Sequence, residues 1–257
     1  MHSEVAARPT DVTVRRPLQW AWAAATNTGC VRALNEDAVV ARPDIGLWAV
    51  ADGMGGHDAG NVASGMIAET LSTLARPERF ADFVTAVEGA IGDVNRRLLE
   101  YSEIMLEGRV VGSTFVGLLV CGEVGMCLWM GDSRLYRYRR NELAQLSRDH
   151  SEVAELVRSG IITSDEARYH PDANVISRAV GTSDELFVDL ELFDAKVGDT
   201  FLLCSDGLYN CVASDDIASC LSVGAEDAVN RLIDTALANG APDNVSVVVI
   251  KAMRRST

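Results

Sequence analysis

Apolar residues repeat with two different periods along the chain, and the change of period separates strand-like from helix-like segments. Alternating or continuous apolar runs of strand length occupy residues 20–25, 36–43 and 46–52. Apolar positions then recur every three or four residues over 59–75 and again over 78–106. The pattern therefore predicts three strands followed by two adjacent helices that pair against a sheet.

The second half of the chain returns to short apolar runs. Four of them follow one another within residues 113–147 and predict a meander, and the basic run at 134–142 alternates as a solvated strand face does. A helix is expected over 149–160, and a polar, irregular stretch follows it. The remaining segments are strands at 187–195, 199–207 and 244–252, and helices at 214–221 and 225–240, the last with a C-cap at Asn239–Gly240.

Strands group with strands and helices with helices, which favours an α+β layered domain over alternating βαβ units. No linker divides the chain and no internal repeat is present. We therefore expect one domain over residues 18–254, preceded by a flexible polar arm, residues 1–17.

Composition narrows the class of protein. The chain has 257 residues and a formal net charge of −14, which argues against nucleic acid or an anionic membrane surface as a partner. The N-terminal residues lack the apolar core of a signal peptide, and no run reaches the length of a membrane span. The six cysteines form no C-x-x-C pair, so they are predicted to be buried, reduced thiols. We expect a cytoplasmic protein.

Acidic residues repeatedly stand at the ends of apolar strands. The positions are Asp52, Asp132, Asp206, Asp243 and the pair Glu36–Asp37. One such acid is usually a cap or a turn former, but five groups at one edge of layered sheets would repel one another strongly without a cation. Ligands that are all oxygen select hard cations such as Mg²⁺ or Mn²⁺. Zinc, a phosphate-binding Gly-rich loop and an acyl-transfer serine all lack their motifs.

Eight short motifs then carry a resemblance to a known family. They are GCVRALNED (29–37), AVADGMGGH (49–57), GST (112–114), GDSRLY (131–136), DHS (149–151), SRAVG (177–181), LLCSDGLY (202–209) and APDNVSVVVI (241–250). In this order they resemble the bacterial branch of the metal-dependent serine/threonine protein phosphatases, type 2C. The match runs from Trp20 to Ala252.

The resemblance implies a four-layer αββα sandwich, in which two packed antiparallel sheets are flanked by helix pairs. It also implies a variable flap, residues 151–174, beside a cleft that holds two metal ions. Phosphorylated proteins and a cognate Ser/Thr kinase are the implied partners, and a monomer is expected. The activity would belong to a signalling pathway.

Metal ligands are carried over from the family by motif. Asp52 would bridge two Mn²⁺ or Mg²⁺ ions, with the Gly53 carbonyl on one ion. Asp206 and Asp243 would hold the other ion, while Glu36 and Asp37 would orient bound waters. Asp132, together with Asp206, would hold a weaker third ion.

Two further residues receive roles from the resemblance. Arg32 would hold the substrate phosphate in a fork that lysine cannot make. His57 would protonate the leaving serine or threonine oxygen, because its ordinary pKa suits a general acid near neutrality. Taken alone, Arg32 is typical of a surface salt-bridge partner, and His57 of a cap on the following helix.

The expected function is hydrolysis of phosphoserine and phosphothreonine in proteins by a metal-bridging hydroxide, reversing a bacterial Ser/Thr kinase. A phosphatase of a partner-switching stress pathway is one alternative. A catalytically inactive module that binds phosphoproteins is another, although every expected ligand is present. A nucleotide hydrolase is disfavoured because no base-recognition signature exists.

Overall fold

A computed structural model describes residues 18–55, 59–167 and 169–254 of the chain. The described residues form eleven strands and seven helices. The strands are β1 (Leu18–Asn27), β2 (Asp37–Arg42), β3 (Leu47–Gly55), β4 (Val111–Ser113), β5 (Phe115–Cys121), β6 (Val124–Met130), β7 (Arg134–Arg139), β8 (Glu142–Gln145), β9 (Asp189–Asp194), β10 (Thr200–Cys204) and β11 (Val245–Arg254).

Two long helices follow β3, and the others lie between later strands. The helices are α1 (Ala59–Ser72), α2 (Phe80–Met105), α3 (Glu152–Arg158), α4 (Ser164–Ala167), α5 (Asp206–Tyr209), α6 (Ser214–Leu221) and α7 (Ala225–Ala238). The predicted end of α7 is confirmed: Asn239 is its C-cap and Gly240 follows with φ 90°.

The strands form two antiparallel sheets. One has the order β1-β11-β10-β7-β8, and the other has the order β2-β3-β5-β6-β9, with β4 paired to the end of β3. Apolar residues between the sheets form one core, which includes Trp48, Trp129 and Phe201. Helices α1 and α2 cover the outer face of the second sheet, and α5, α6 and α7 cover that of the first. The predicted four-layer α+β sandwich is therefore confirmed.

Strand β3 shows why its sequence is continuously apolar. Leu47, Ala49 and Ala51 pack under the helices, whereas Trp48 and Val50 point between the sheets. Both faces are buried, so both must be apolar up to the point where the strand leaves the core.

Two sequence expectations need correction. The predicted meander is wrong, because β5–β6 and β7–β8 belong to different sheets and the chain crosses the sandwich at residues 131–133. The basic run is not simply solvated either, since Arg134 and Arg139 are only 23% and 20% exposed and pair with Asp149 and Asp199. Such partners are distant in sequence and leave no local signal.

The thiol prediction holds in part. All six cysteines are free, and Cys127, Cys204 and Cys220 are buried, but Cys30 and Cys121 are exposed because both lie in loops or at a strand end. The predicted arm, residues 1–17, lies outside the described residues. Among the described helices, none is long and apolar enough to cross a membrane.

Candidate metal centre

At one end of the sandwich, the layer between the sheets changes from apolar to polar. Side chains alternate along a strand, so every second residue beyond the apolar core still faces the space between the sheets. Seven strands place a polar residue there, within the strand or one residue beyond its end and two positions from the last apolar residue, and the strand registers put these residues at the same end. They are Thr26, Asp37, Asp52, Thr114, Ser133, Ser205 and Ser246.

Hydrogen bonds join these residues across the two sheets. The Ser205 hydroxyl donates to Asp37 Oδ2 at 2.7 Å, and the hydroxyls of Thr114 and Ser133 lie 2.7 Å apart. The Ser205 Oγ also accepts the backbone N–H of Ser246 at 3.0 Å. The sandwich is therefore closed at this end by a polar layer whose geometry is fixed by both sheets.

The carboxyl groups gathered here perturb one another. Loss of hydration raises the pKa of Asp206 to about 7, and the charges of Asp132, Asp243 and Asp37 add to the effect. The pKa of Asp52 is also raised well above its usual value, first by loss of hydration and then by the charges of Asp206 and of these three neighbours. Such mutual repulsion is what a bound cation relieves.

Asp132 and Asp37 show the same perturbation. Loss of hydration raises the pKa of Asp132 to about 6, with a contribution from Asp149. Asp37 is 8% exposed, and its pKa is raised mainly by burial. Among the described residues, none donates a hydrogen bond to its buried Oδ1 atom, which is costly for a carboxylate.

These observations fit a hard divalent cation. An unpartnered carboxylate oxygen beside several repelling carboxyl groups is a donor set for Mg²⁺ or Mn²⁺. Within residues 18–55, 59–167 and 169–254, no group of three or more Asp, Glu, His or Cys side chains is arranged closely enough to coordinate one metal ion by itself. Mg²⁺ typically takes only one or two carboxylates and keeps several waters, so the donor chemistry agrees with such ions.

The backbone of Asp52 is held firmly by the strand beside it. The Thr114 N–H donates to the Asp52 carbonyl at 2.8 Å, and the Asp52 N–H donates to Thr114 Oγ1 at 3.1 Å. Ser113 Oγ donates to the same carbonyl at 3.0 Å. The sequence motif GST at 112–114 thus supports the acid.

Strand β3 does not end at Asp52 as its apolar run suggests. Residues 53–55 continue it by pairing with Val111–Ser113. Gly53 is needed there because a Cβ atom would come within 2.1 Å of the Gly60 carbonyl oxygen in the first turn of α1. The glycines permit this close approach of strand and helix.

The loop that carries Glu36 is fastened by Asn244. The Asn244 side chain accepts the Glu36 N–H at 2.8 Å and donates to the carbonyls of Thr28 and Leu34, both at 2.9 Å. The Glu36 carboxylate lies against the first turn of α1, since a Cβ on Gly60 would be 2.6 Å from its Oε1. The positive end of the helix dipole favours an acid in this place.

Arg32 lies at the rim of the acids. Its guanidinium donates to Asp243 Oδ2 at 2.8 Å, and the side chains are 53% and 36% exposed. The pKa of Arg32 is raised, first by this hydrogen bond and its charge and less by Glu36 and Asp206. The surface ion pair considered from the sequence thus exists, and its partner is one of the candidate metal ligands.

The structure brings together all of the described candidates at one end of the sandwich. His57 falls between residues 55 and 59 and lies outside the described residues.

Sequence reasoning missed the residues that support the acids, although a signal existed. The inter-sheet stripe of β1, β5, β10 and β11, continued by two residues, reaches Thr26, Thr114, Ser205 and Ser246. Tyr209 donates to Asp132 Oδ2 at 3.2 Å. It belongs to α5, and a helix of four residues is too short to show a helical period in the sequence.

A family model described as protein phosphatase 2C matches residues 31–245. Serine/threonine protein phosphatase PstP of Mycobacterium tuberculosis is 38% identical over 229 residues, which cover 89% of this chain but 44% of that protein. Serine/threonine phosphatase stp of Listeria welshimeri is 34% identical over 88% of this chain and 93% of its own length.

Solved structures agree with these matches. PppA of Pseudomonas aeruginosa has a TM-score of 0.84 at 39% identity and covers 91% of this chain and 98% of that one. The catalytic domain of PstP in complex with two manganese ions has a TM-score of 0.84 at 36% identity, over 92% and 99% of the two chains. The fold and the acid-lined end define a two-sheet phosphatase architecture, and the chain belongs to the protein phosphatase 2C family.

Proposed function

We propose that this chain is a metal-dependent phosphatase that hydrolyses phosphoserine and phosphothreonine in proteins. The observation that carries the proposal is the cluster of repelling carboxyl groups around the unpartnered Oδ1 of Asp37. The names of its relatives, which are serine/threonine phosphatases at 34–38% identity, support the substrate class.

The metals are proposed to be two Mn²⁺ or Mg²⁺ ions, by analogy with the two manganese ions of PstP. Asp52 would contact both ions and the Gly53 carbonyl one of them, while Asp206 and Asp243 would hold the other. Glu36 and Asp37 would hold the surrounding waters in place, and Asp132 would serve a weaker third ion. Two such ions, when bound, lower the pKa of a shared water from about 15.7 toward ~7 and so supply hydroxide at neutral pH.

Arg32 is proposed to bind the phosphate of the substrate. Its side chain is half exposed and pairs with Asp243 at the rim of the acids, where an incoming phosphoryl group can reach it from solvent. Its planar fork can take two phosphoryl oxygens at once. Asp243 holds the guanidinium in this region before substrate arrives.

The proton for the leaving oxygen is proposed to come from His57. The assignment rests on its place in the motif AVADGMGGH, directly after the strand that carries Asp52. Departure of a serine or threonine alkoxide needs a proton, and an imidazole is a suitable donor near neutral pH.

The wider setting belongs to the same proposal. One catalytic domain, residues 18–254, with a flap over 151–174, would act as a monomer in the cytoplasm on phosphoproteins made by a cognate Ser/Thr kinase. The net charge of −14 disfavours a nucleic-acid partner, because nucleic-acid binding depends on basic residues that neutralise phosphates. The chain matches less than half the length of the mycobacterial relative, so no property of the rest of that protein is included in the proposal.

Hydrolysis of phosphothreonine and phosphoserine peptides tests the function. We expect phosphate release with Mn²⁺ or Mg²⁺, loss of release after chelation, and recovery when metal is returned. Asp44→Asn serves as a control, because it removes a charge from the exposed turn at the other end of the β2–β3 hairpin and should release phosphate as the wild type does. Full turnover after verified metal removal would contradict the proposal.

A further inference from the structure

The turn that carries Asp132 has a backbone that needs external support. Gly131 has φ 105°, a conformation that side-chain-bearing residues rarely adopt, and a Cβ there would lie 2.7 Å from the Thr114 side chain. The chain crosses from one sheet to the other at this point. Asp132 follows at once and is 8% exposed.

His150 holds Gly131 on both of its backbone groups. The Gly131 N–H donates to His150 Nδ1 at 3.2 Å, and the His150 N–H donates to the Gly131 carbonyl at 3.0 Å. Because Nδ1 accepts a hydrogen bond, the neutral ring carries its proton on Nε2.

The other ring nitrogen is also engaged. His150 Nε2 lies 3.1 Å from Asp189 Oδ2, so it donates to that carboxylate, and the ring stacks on Trp129 with centroids 6.1 Å apart. Asp189 is also 3.4 Å from a guanidinium nitrogen of Arg178. The imidazole is therefore fixed in both position and tautomer.

The same residue stands at the base of the flap. The Ser177 N–H donates to the His150 carbonyl at 2.8 Å, and Ser151 pairs with Ile176 in an isolated bridge. His150 thus connects the Asp132 turn to both ends of the flap: it directly precedes the first flap residue, and it binds Ser177, which lies just beyond the last one.

We propose that His150 is a positioning residue that sets the direction of the Asp132 carboxylate by holding Gly131, and that it connects this acid to the base of the flap. The inference rests on the proposed function, because Asp132 matters there as the ligand of the weaker ion. Groups that orient metal ligands from behind commonly change metal affinity by about 10–100-fold when removed.

Two substitutions separate the two hydrogen bonds of the ring. In His150→Asn the amide oxygen takes the place of Nδ1 and can still accept from Gly131, whereas in His150→Gln the amide takes the place of Nε2 and leaves Gly131 unpaired. Both lose the stacking on Trp129 equally, so each controls for the other.

The measurement is Mn²⁺ titration by calorimetry on wild type, both variants and Asp132→Ala. We expect Asp132→Ala to lose the weak ion, His150→Gln to bind it about 10–100-fold more weakly, and His150→Asn to stay near wild type. Equal losses in both histidine variants would mean that packing alone matters and would overturn the proposal. Unchanged binding in His150→Gln would overturn it too.

Two readouts keep these cases apart. If Asp132→Ala keeps every metal ion, the role given to Asp132 in the proposed function fails and the His150 proposal fails with it. Independently, two-bond ¹H–¹⁵N spectra of wild type should show the Nε2–H tautomer of His150, and a proton on Nδ1 would overturn the proposal without any variant. Should His150→Gln not fold, Asp189→Ala, which frees the ring from its far side, should still weaken the weak ion, and unchanged binding would contradict the role.

Discussion

Asp37 and Asp199 are both buried aspartates, at opposite ends of the sandwich. Asp199 precedes β10 and is 1% exposed, yet both of its oxygens are paired, since Arg139 donates to Oδ1 at 2.6 Å and to Oδ2 at 2.7 Å, where the Lys196 N–H also donates. Asp37 lies beside Ser205, just beyond the other end of β10, and its Oδ1 accepts no hydrogen bond from the part of the chain that the structure describes. Both oxygens of Asp199 thus have hydrogen-bond donors within the protein, whereas one oxygen of Asp37 remains available to a ligand.

This contrast separates a buried charge that maintains the fold from one that is available to a ligand. The attraction within a buried ion pair that has complete hydrogen bonds offsets the cost of desolvation, whereas removal of one partner leaves an uncompensated buried charge and is strongly destabilising. A cluster of carboxyl groups without cations destabilises the fold and persists only where a ligand compensates for it. The two ends should therefore respond in opposite ways to the loss of a charge.

The largest expected effect comes from Asp206→Asn at the acidic end. Removing one ligand should lower phosphopeptide turnover by at least about 10²-fold, since a charge that stabilises the transition state is lost with the metal. The metal-free variant should be no less stable than wild type, because a repelling charge is gone. Turnover, bound metal and thermal unfolding after chelation are the measurements. Wild-type activity with wild-type metal content would remove Asp206 from the site.

Arg139→Met tests the opposite end and should leave the chemistry alone. The change strips Asp199 of its charged partner inside the protein, which should cost about 3 kcal/mol of unfolding free energy. For a chain of this size that corresponds to a fall in Tm of roughly 6–12 °C. Turnover per folded molecule and metal affinity should stay at their wild-type values. A loss of metal binding without a loss of stability would reverse the comparison.

The same two acids show which features of the structure have a local signal in the sequence and which do not. Alternation and helical periods predict the long helices and the described strands other than β4, because those signals are local. The motifs predict which acids form the site, and the structure groups the described ones. The motifs single out Asp37, but nothing local in the sequence shows that Asp199 is buried and paired, because the guanidinium that satisfies it is 60 residues away.

The sheet assignment of β7–β8 escaped for a similar reason. A hairpin pattern shows that two strands pair, but not which sheet they join, and here the choice depends on pairing of Leu135 with Leu203. Helix α5 escaped because four residues do not show a helical period.

A smaller effect is expected from Ser205→Ala, which sharpens the view of Asp37. The substitution removes the hydroxyl that donates to Asp37 Oδ2 and accepts the Ser246 N–H, so the metal-free protein should lose about 1–3 kcal/mol of unfolding free energy. Metal affinity should fall by about tenfold, as for other groups that orient ligands. Ser219→Ala, on the exterior helix α6, is the matched control. Unchanged metal affinity would show that Asp37 does not depend on this hydroxyl.

The smallest stability effect is expected at Arg32, whose pair with Asp243 has the same chemistry as Arg139–Asp199 but half-exposed side chains. Ion pairs in water contribute at most about 1 kcal/mol, so Arg32→Ala should leave the Tm of the metal-free protein nearly unchanged. If Arg32 serves the phosphate instead, the metal-loaded variant should show a raised KM for phosphopeptide and a lowered kcat, because the phosphoryl oxygens need the fork both before and during the reaction. Arg32→Lys keeps the charge but not the fork, and should recover only part of the loss. The measurements are thermal unfolding after chelation and steady-state kinetics with Mn²⁺. A clear fall in Tm with unchanged kinetics would make Arg32 a structural partner of Asp243, and the contrast between the two ends would then be one of exposure and not of function.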